Sequence, residues 1–375
     1  MINKGNYITA DCYADHFSSS YCFFKDNKTY NGKAGEEQVR KRTRNHNLSI
    51  KGIFKLGNRH KLSVGTEYIV DVLKSQTDNI AKEDAYTLAL FAQDEIKLLR
   101  NLQALIGVRY IYHENFKNHA TPNVALMYKP GKFNFRASYA AGFRTPTLSE
   151  LYATDIAKKN DRLTIGNLDL KPEKNNYFSL SAEYVHERFS VSVNAFYNNI
   201  RDMIDYNTIA TGDKAMEQYG HKEVRQRDNI AEAKVHGINV SANAYLGAGF
   251  NLSGGYTHLN TQDVELEQPI DKSIKNAYNI NAQWAHSWKI YRLNINLNGR
   301  INSKRFSKSY GYAPEYQLWD LNTRHSFNLK SVIIEPGCGM ENLFDYMDDR
   351  PYNSNYATLT PGRSFYISLS LKFKS

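Results

Sequence analysis

The chain has 375 residues, a formal net charge of +10, 41% hydrophobic residues and a mean hydropathy of −0.59. No apolar run approaches the roughly 18 residues that a membrane-crossing helix needs, which excludes a helical membrane protein but not a β-barrel, because a crossing strand alternates its two faces and averages to polar. Aromatic residues at 13%, with 27 Tyr, fit either a barrel with aromatic girdles or a soluble β-protein, and three cysteines without a CxxC pair support neither a zinc site nor a redox motif.

The opening residues, MINKGNYITA, lack the apolar core of a signal peptide and read directly into a strand. For an exported protein this start is expected to be an internal one. Cys12 and Cys22 follow, either as partners in one bridge or as two unpaired small side chains. The densest basic cluster, Arg40, Lys41, Arg42 and Arg44, precedes the next predicted strand. No nucleic-acid motif accompanies it, so nucleic acid is not an expected partner.

From there compact connections alternate with long polar stretches. Short turns are expected near Gly57-Asn58-Arg59, Leu99-Arg100-Asn101, Pro130-Gly131, Glu187-Arg188, Gly247-Ala248-Gly249 and Ser287-Trp288-Lys289. Long loops are expected near 26–42, 74–83, 143–174, 203–228, 258–275, 303–315 and 346–362. Between them runs period-two alternation. Phe178, Leu180, Ala182 and Tyr184 oppose Ser179, Ser181 and Glu183. Phe189, Val191, Val193 and Ala195 oppose Ser190, Ser192 and Asn194. Leu293, Ile295, Leu297 and Ile301 oppose Arg292, Asn294, Asn296, Asn298 and Arg300. The last segment sets Phe365, Ile367, Leu369, Leu371 and Phe373 against Ser364, Tyr366, Ser368, Ser370 and Lys372. Roughly 16 strands result, many longer than the five or six residues usual in soluble proteins. No helix is expected; the best segment, Thr147–Lys158, reads as part of a long loop. The fold class is all-β, an antiparallel transmembrane barrel of outer-membrane type, with no internal domain boundary.

Three stretches carry a family resemblance. AAGFRTPTLSELY, Ala140 to Tyr152, resembles the GFRxPTxxELY stretch of TonB-dependent outer-membrane receptors. IGNLDLKPEK, Ile165 to Lys174, is similar to the family's GNxxLKPE stretch before the next strand. ENLFD, Glu341 to Asp345, and PGR, Pro361 to Arg363, with the alternation to Phe373, resemble the family's C-terminal end. The matching residues are Phe143, Arg144, Pro146, Glu150, Gly166, Asn167, Leu170, Pro172, Glu173, Asn342, Phe344, Gly362, Arg363 and Phe373. Each also has a plain structural reading, Arg144 and Glu150 as an ion pair and Pro172 as a turn former.

The resemblance implies a barrel of about 22 strands, of which this chain supplies roughly 16, without the N-terminal plug and its TonB box. It implies uptake of a metal chelate such as a ferric siderophore, haem or cobalamin, in the outer membrane of a Gram-negative bacterium. The implied partners are outer-membrane lipid and lipopolysaccharide, the small chelate, and the TonB energy complex through the plug; the barrel is expected to be monomeric, with no cofactor and no resident metal. A haem receptor of this family would carry a ligand His between the first two stretches, and residues 147–166 contain none; His221 is the best spare imidazole. Candidate ligand residues in the long loops are Arg144, Tyr206, Tyr219, His221, Arg225, Tyr310, Tyr312 and Tyr356, the aromatics for stacking and the cations for an anionic chelate. Arg201, Lys222 and Arg227 share the Arg225 neighbourhood and also suit lipopolysaccharide phosphates. No GxSxG, HExxH or P-loop occurs, so no enzyme activity is expected. A passive porin or adhesin barrel, a truncated receptor remnant and a soluble β-protein binding an anionic polymer are the other readings.

Overall fold

A computed structural model describes residues 5–28, 31–157, 161–307, 311–348 and 360–374. In chain order the elements are β1 (Tyr7–Cys22), β2 (Glu37–Leu56), β3 (His60–Ser75), β4 (Ile80–Leu99), β5 (Leu102–His113), β6 (Lys117–Tyr128), β7 (Phe133–Arg144), α1 (Leu148–Tyr152), β8 (Thr154–Ala157) and β9 (Arg162–Ile165). Then come β10 (Glu173–Val185), β11 (Phe189–Thr211), α2 (Gly212–Tyr219), β12 (Glu223–Gly247), β13 (Phe250–Asp263), β14 (Asn276–Trp288) and β15 (Tyr291–Asn302). The chain closes with β16 (Arg305–Ser307), β17 (Gly311–Ala313), β18 (Tyr316–Asn328), β19 (Val332–Glu341) and β20 (Ser364–Phe373). Among the described residues sixteen strands have ten residues or more, matching the number expected from alternation. Among the described residues no helix is long and apolar enough to cross a membrane.

The chain forms two compact units. The first comprises the described residues up to Leu126, Ser138–Tyr177 and Asn199–Glu232. In it β1 to β5 pair in succession, all antiparallel. The second comprises Met127–Ala137, Phe178–Asn198 and the described residues from Ala233 on. There β12, β13, β14, β15, β18, β19 and β20 pair in succession, again antiparallel.

Each unit exposes its apolar face and half-buries its polar one. Leu90 is 51% exposed, Leu180 64% and Leu252 43%. The serines and asparagines that alternate with the apolar residues of β11 are less exposed than their neighbours. The polar side chains satisfy one another. In the first unit Asn45 Nδ2 donates to Asp71 Oδ1 at 2.8 Å, Asn47 Nδ2 to Glu67 Oε1 at 2.7 Å, and Arg109 pairs with Glu67. In the second, Asn281 Nδ2 donates to Asn296 and Asn298 at 2.7 and 2.6 Å. A soluble sandwich would do the reverse, since burying apolar area at about 25 cal/mol per Å² is its driving force. A wall with lipid on one side and a polar interior on the other requires this inversion.

Aromatic rings bound the apolar face. In the second unit Tyr256 stacks on Tyr278 (4.7 Å between centroids) toward the long-loop end, and Trp284, Trp288, Tyr291 and Phe327 form a chain of contacts at the short-turn end. Tyr278 and Trp288 lie ten residues apart on β14. At about 3.3 Å per residue and a tilt of about 40° that spans roughly 25 Å, the height of an outer-membrane apolar band. In the first unit Tyr68, Tyr86 and Tyr112 make a similar row, with centroids 6.0 and 6.1 Å apart.

Several expectations need correction. The 74–83 stretch is a four-residue turn between Ser75 and Ile80, and the 203–228 stretch is mostly strand, with β11 running to Thr211 and β12 starting at Glu223. Strands that continue past the apolar band need no apolar face, so their sequence reads as loop. The basic cluster at 40–44 lies within β2 for the same reason. Among the described residues two helices do form: α1, too short for helical periodicity to register, and α2, ended by Gly220 in the left-handed conformation (φ 71°). Cys12, Cys22 and Cys338 are free and exposed. Cys12 and Cys22 stand ten residues apart on one continuous strand, about 33 Å at strand rise, whereas a disulfide needs Cα atoms within about 7 Å; no bridge joins them.

Candidate functional site

The long connection between β7 and β10 is the most organised loop of the first unit. β7 ends at Arg144, whose guanidinium grips two carboxylates. Its Nε and Nη2 donate to Glu173 Oε2 and Oε1 at 2.7 and 2.6 Å, and its Nη1 and Nη2 donate to Glu150 Oε2 and Oε1 at 3.0 and 3.3 Å. Fork-to-carboxylate geometry on both sides makes this a directional clamp. Glu150 also completes a capping box. Thr147 N donates to Glu150 Oε2 at 2.8 Å, and Glu150 N donates to Thr147 Oγ1 at 3.2 Å. Burial pushes the Glu150 carboxyl up, but Arg144 and the Thr147 amide outweigh it and hold it below the ordinary glutamate range. Glu173 Oε1 accepts from Ile204 N at 2.8 Å, which extends the clamp to β11.

Helix α1 is pinned from below by two apolar clusters. Leu148 packs on Leu73, Ile80 and Ala85, and Leu151 packs with Leu170 and Ile204. Pro146 and Pro172 are buried at either end of the connection. Gly166 passes against the helix end. Its amide donates to Ala153 O at 2.6 Å, and a Cβ there would lie 2.4 Å from Leu151 O. Asn167 N donates to Glu150 O at 3.0 Å, while its Oδ1 accepts from Asp169 N at 2.9 Å. Phe143 stacks on His119 at 3.9 Å. Two residues that sequence reasoning passed over complete the frame. Asn229 Oδ1 accepts from Lys171 N at 2.7 Å, and its Nδ2 donates to Lys171 O at 2.8 Å and to Asp202 O at 2.6 Å, which ties the loop to β11. Asp78 Oδ2 accepts from Ser149 Oγ at 3.0 Å. Neither carries a local pattern that would mark it.

Beside α1 lies a cleft of about 430 Å³ lined by Lys41, Asp71, His113, Pro146, Leu148 and Leu151. His113 is buried at its edge, with Nδ1 accepting from Asn115 N at 3.1 Å, so the ring carries its proton on Nε2 when neutral.

The remaining loop candidates fall into two groups. In the first unit Tyr206, Tyr219, His221 and Arg225 lie on or beside the β11–α2–β12 excursion. Arg227 sits over the Tyr206 ring at 3.5 Å and donates to its hydroxyl at 2.7 Å. His221 Nδ1 meets Asp161 Oδ1 at 2.9 Å, and that hydrogen bond holds the Asp161 carboxyl below its ordinary range. Tyr219 packs against the Ala210, Ala215 and Val224 cluster, and Arg225 pairs with Glu223. β9 runs parallel to β12, Arg162 opposite Glu223, tying this excursion to the α1 loop. In the second unit Tyr312 is exposed and meets Phe306 edge-on at 5.4 Å. Tyr310 and Tyr356 lie outside the described residues.

The C-terminal stretch is a turn lock within the second unit. Asn342, buried and at φ 50°, receives Tyr346 N on Oδ1 at 2.9 Å, donates Nδ2 to Tyr346 O at 2.8 Å, and donates its amide to Asp320 at 2.9 Å. Asp345 Oδ1 accepts from Arg363 N at 2.7 Å, next to Gly362 at φ 81°. Phe344 projects from it, 61% exposed, and Phe373, 81% exposed, lies at the far end of β20 opposite Val332.

Known proteins share this fold. The sequence model of one family, TonB dependent receptor-like, beta-barrel, matches residues 4–343. A mutant of the ferric enterobactin receptor PfeA from Pseudomonas aeruginosa superposes with a TM-score of 0.79 at 18% identity, over 98% of this chain and 59% of that one. The siderophore receptor PirA from the same organism gives 0.70 at 17% identity, over 99% and 64%. The FrpB iron transporter from Neisseria meningitidis gives 0.72 at 14%, over 97% and 59%. At these identities the likeness is one of fold, and the chain spans about three fifths of the length of the solved receptors. With its sixteen long antiparallel strands, its inverted polarity and its clamped loops, this chain belongs to the TonB-dependent receptor family as part of its β-barrel.

Proposed function

We propose that this chain is the wall and extracellular loop system of an outer-membrane receptor that captures a ferric chelate of the siderophore type and passes it inward at the expense of TonB-transmitted energy. The observation that carries the reading is the inverted wall, apolar outside and hydrogen-bonded polar inside, crowned by loops that are internally clamped. The fold relatives bind or transport iron compounds by their own titles, which supports the siderophore class over haem or cobalamin.

The loop chemistry suits an anionic aromatic chelate. Arg227 stacked on Tyr206 offers a flat cationic platform, and Arg201 and Lys222 are exposed nearby in sequence. Arg144 in this reading positions the loop and does not touch ligand, because both carboxylates already occupy its fork. On this reading the polypeptide is a transporter and not an enzyme, and its barrel lies in the Gram-negative outer membrane.

Uptake of radioiron by cells expressing the receptor tests this. Accumulation from a ferric catecholate that vanishes in a strain without TonB is expected, with Tyr206→Ala and Arg227→Gln each raising the concentration for half-maximal uptake about 5- to 30-fold, the equivalent of the roughly 1–2 kcal/mol that a cation–π contact contributes. Uptake that persists without TonB would instead support the passive pore.

A further inference from the structure

The Tyr206–Arg227 platform of the first unit is placed by backbone and not by its own two side chains alone. Tyr206 lies on β11 and Arg227 on β12, and each strand is anchored two residues from its platform residue. Ile204, two before Tyr206, donates its amide to Glu173 Oε1 at 2.8 Å. Asn229, two after Arg227, commits its whole side-chain amide to backbone. Its Oδ1 accepts from Lys171 N at 2.7 Å, and its Nδ2 donates to Lys171 O at 2.8 Å and to Asp202 O at 2.6 Å. At about 3.3 Å per residue, each anchor stands about 7 Å along the strand from the platform residue it governs.

Both anchors end on one short segment, Leu170 to Glu173, and that segment is stiff. Pro172 lies buried between the two anchoring residues, its φ fixed by the ring. Leu170 packs with Leu151 and Ile204, and Arg144 grips the same Glu173 carboxylate that takes the Ile204 amide. Asp202 adopts a left-handed φ of 55°, which a non-glycine residue keeps only where its surroundings hold it. Asn229 Nδ2 on the Asp202 carbonyl supplies that hold. Loop closure alone would be served by bonds anywhere along β11 and β12; these bonds stand beside the platform on both strands. The Arg227 guanidinium already sits 3.5 Å from the Tyr206 ring centre and donates to its hydroxyl at 2.7 Å. A free arginine stem would lose rotamer freedom on meeting a ligand, and one stacked beforehand has little left to lose.

We infer that Glu173 and Asn229 are positioning residues for ligand: through the Leu170–Glu173 segment they bracket β11 and β12, so that Tyr206 and Arg227 meet an anionic aromatic chelate already stacked. This rests on the proposed reading of the platform as a ligand surface. Neither positioning residue touches the ligand, and both act through the platform. Positioning of this kind scales the affinity for whatever the platform takes and does not choose among ligands.

The test uses the receptor containing this chain in detergent, with Tyr206→3-fluorotyrosine as a fluorine NMR reporter and a synthetic ferric tris-catecholate as the binding probe. Without ligand, Arg227→Gln gives the resonance of an unstacked ring. Asn229→Ala and Glu173→Met cut the bracket on its two sides, and each is expected to move the reporter line toward that position. Probe affinity, measured without the reporter, is expected to fall about 5- to 30-fold in each, the worth of the cation–π contact itself. Asn229→Asp keeps the acceptor for Lys171 N and loses both donations, so its loss should be smaller than that of Asn229→Ala. On the Tyr206→Ala background Asn229→Ala should add less than about twofold, because both changes remove one interaction. A merely structural Asn229 gives losses that multiply, and that result overturns the inference, as does an unmoved reporter line in both bracket variants. A reporter line that moves as expected in a receptor that does not bind the probe supports the bracket and counts against the siderophore reading.

Discussion

Replacing Arg144 with Met removes the clamp while keeping most of its apolar stem. The cost follows from how far each partner is withdrawn from water. The Arg144 side chain is 42% exposed, whereas Glu150 and Glu173 are 13% and 17% exposed. A fully exposed pair is worth at most about 1 kcal/mol, and stripping the partner from a buried pair costs about 3–5 kcal/mol. Two half-buried carboxylates left without their cation fall between, at about 2 kcal/mol of local stability. That raises the open population of the 145–172 connection about 30-fold. Trypsin cleavage at Arg162 or Lys171 reports this population when reclosing outpaces cutting, so cleavage in membrane-embedded receptor is expected to accelerate about 30-fold. Glu150→Gln on the Arg144→Met background should add little, because the two share one interaction. Cleavage within twofold of the unaltered protein would refute the clamp.

The same clamp has a pH dependence of known sign. Arg144 holds the Glu150 carboxyl below its unfolded value, so the ionised form favours the closed loop. That contribution is complete above the ordinary glutamate pKa of about 4.3 and is lost as pH falls through the lower folded value. Protection from an acid-active protease is therefore expected to stay level from neutral pH to about 5 and to fall only below about 4.3; protection lost between pH 7 and 5 would contradict it.

Further perturbations follow from single contacts. Gly166→Ala should destabilise the same loop by about 1–3 kcal/mol, because the new Cβ meets the Leu151 backbone, which cannot swing aside; unchanged tryptic protection would count against it. Asn342→Ala removes a buried side chain that bonds both backbone groups of Tyr346, and about 2–3 kcal/mol of lost stability should lower the temperature at which the barrel loses its compact gel mobility. Alkylation under denaturing, non-reducing conditions should modify all three cysteines, and a single modified thiol would show that Cys12 and Cys22 had bridged after all.

The parts of this fold that the sequence exposes are those dictated by a period. Phe189 to Ala195 must alternate to face lipid on one side and polar groups on the other, so β11 is legible there; past Asn199 the same strand runs on with no apolar demand and reads as loop until Thr211. Short turns are legible because Gly57, Gly131 and Gly249, at φ 61°, 63° and 87°, supply left-handed backbone. The site is another matter. Arg144 and Glu150 are six residues apart and pair plausibly on paper, but Glu173 and Ile204 join them only through strand pairing. Asn229 meets Lys171 across 58 positions, and nothing local to either residue announces it.

That distinction bears on where ligand choice resides. Several residues of the first two family stretches hold the α1 connection: Arg144 in its carboxylates, Gly166 against Leu151, Leu170 in the core with Ile204, Pro146 and Pro172 buried. A residue whose polar groups are satisfied within the fold has little left to offer a chelate without first breaking those bonds. The signature thus describes a scaffold that any member could use, whatever it carries. On the proposed reading, discrimination among ligands comes from side chains the scaffold leaves open, and in the first unit the α2 excursion presents candidates: Tyr206 under Arg227, and Lys222 in solvent. Exchanging residues 201–228 for those of a related receptor should therefore transfer ligand preference, while exchanging residues 143–173 should change stability and leave preference intact.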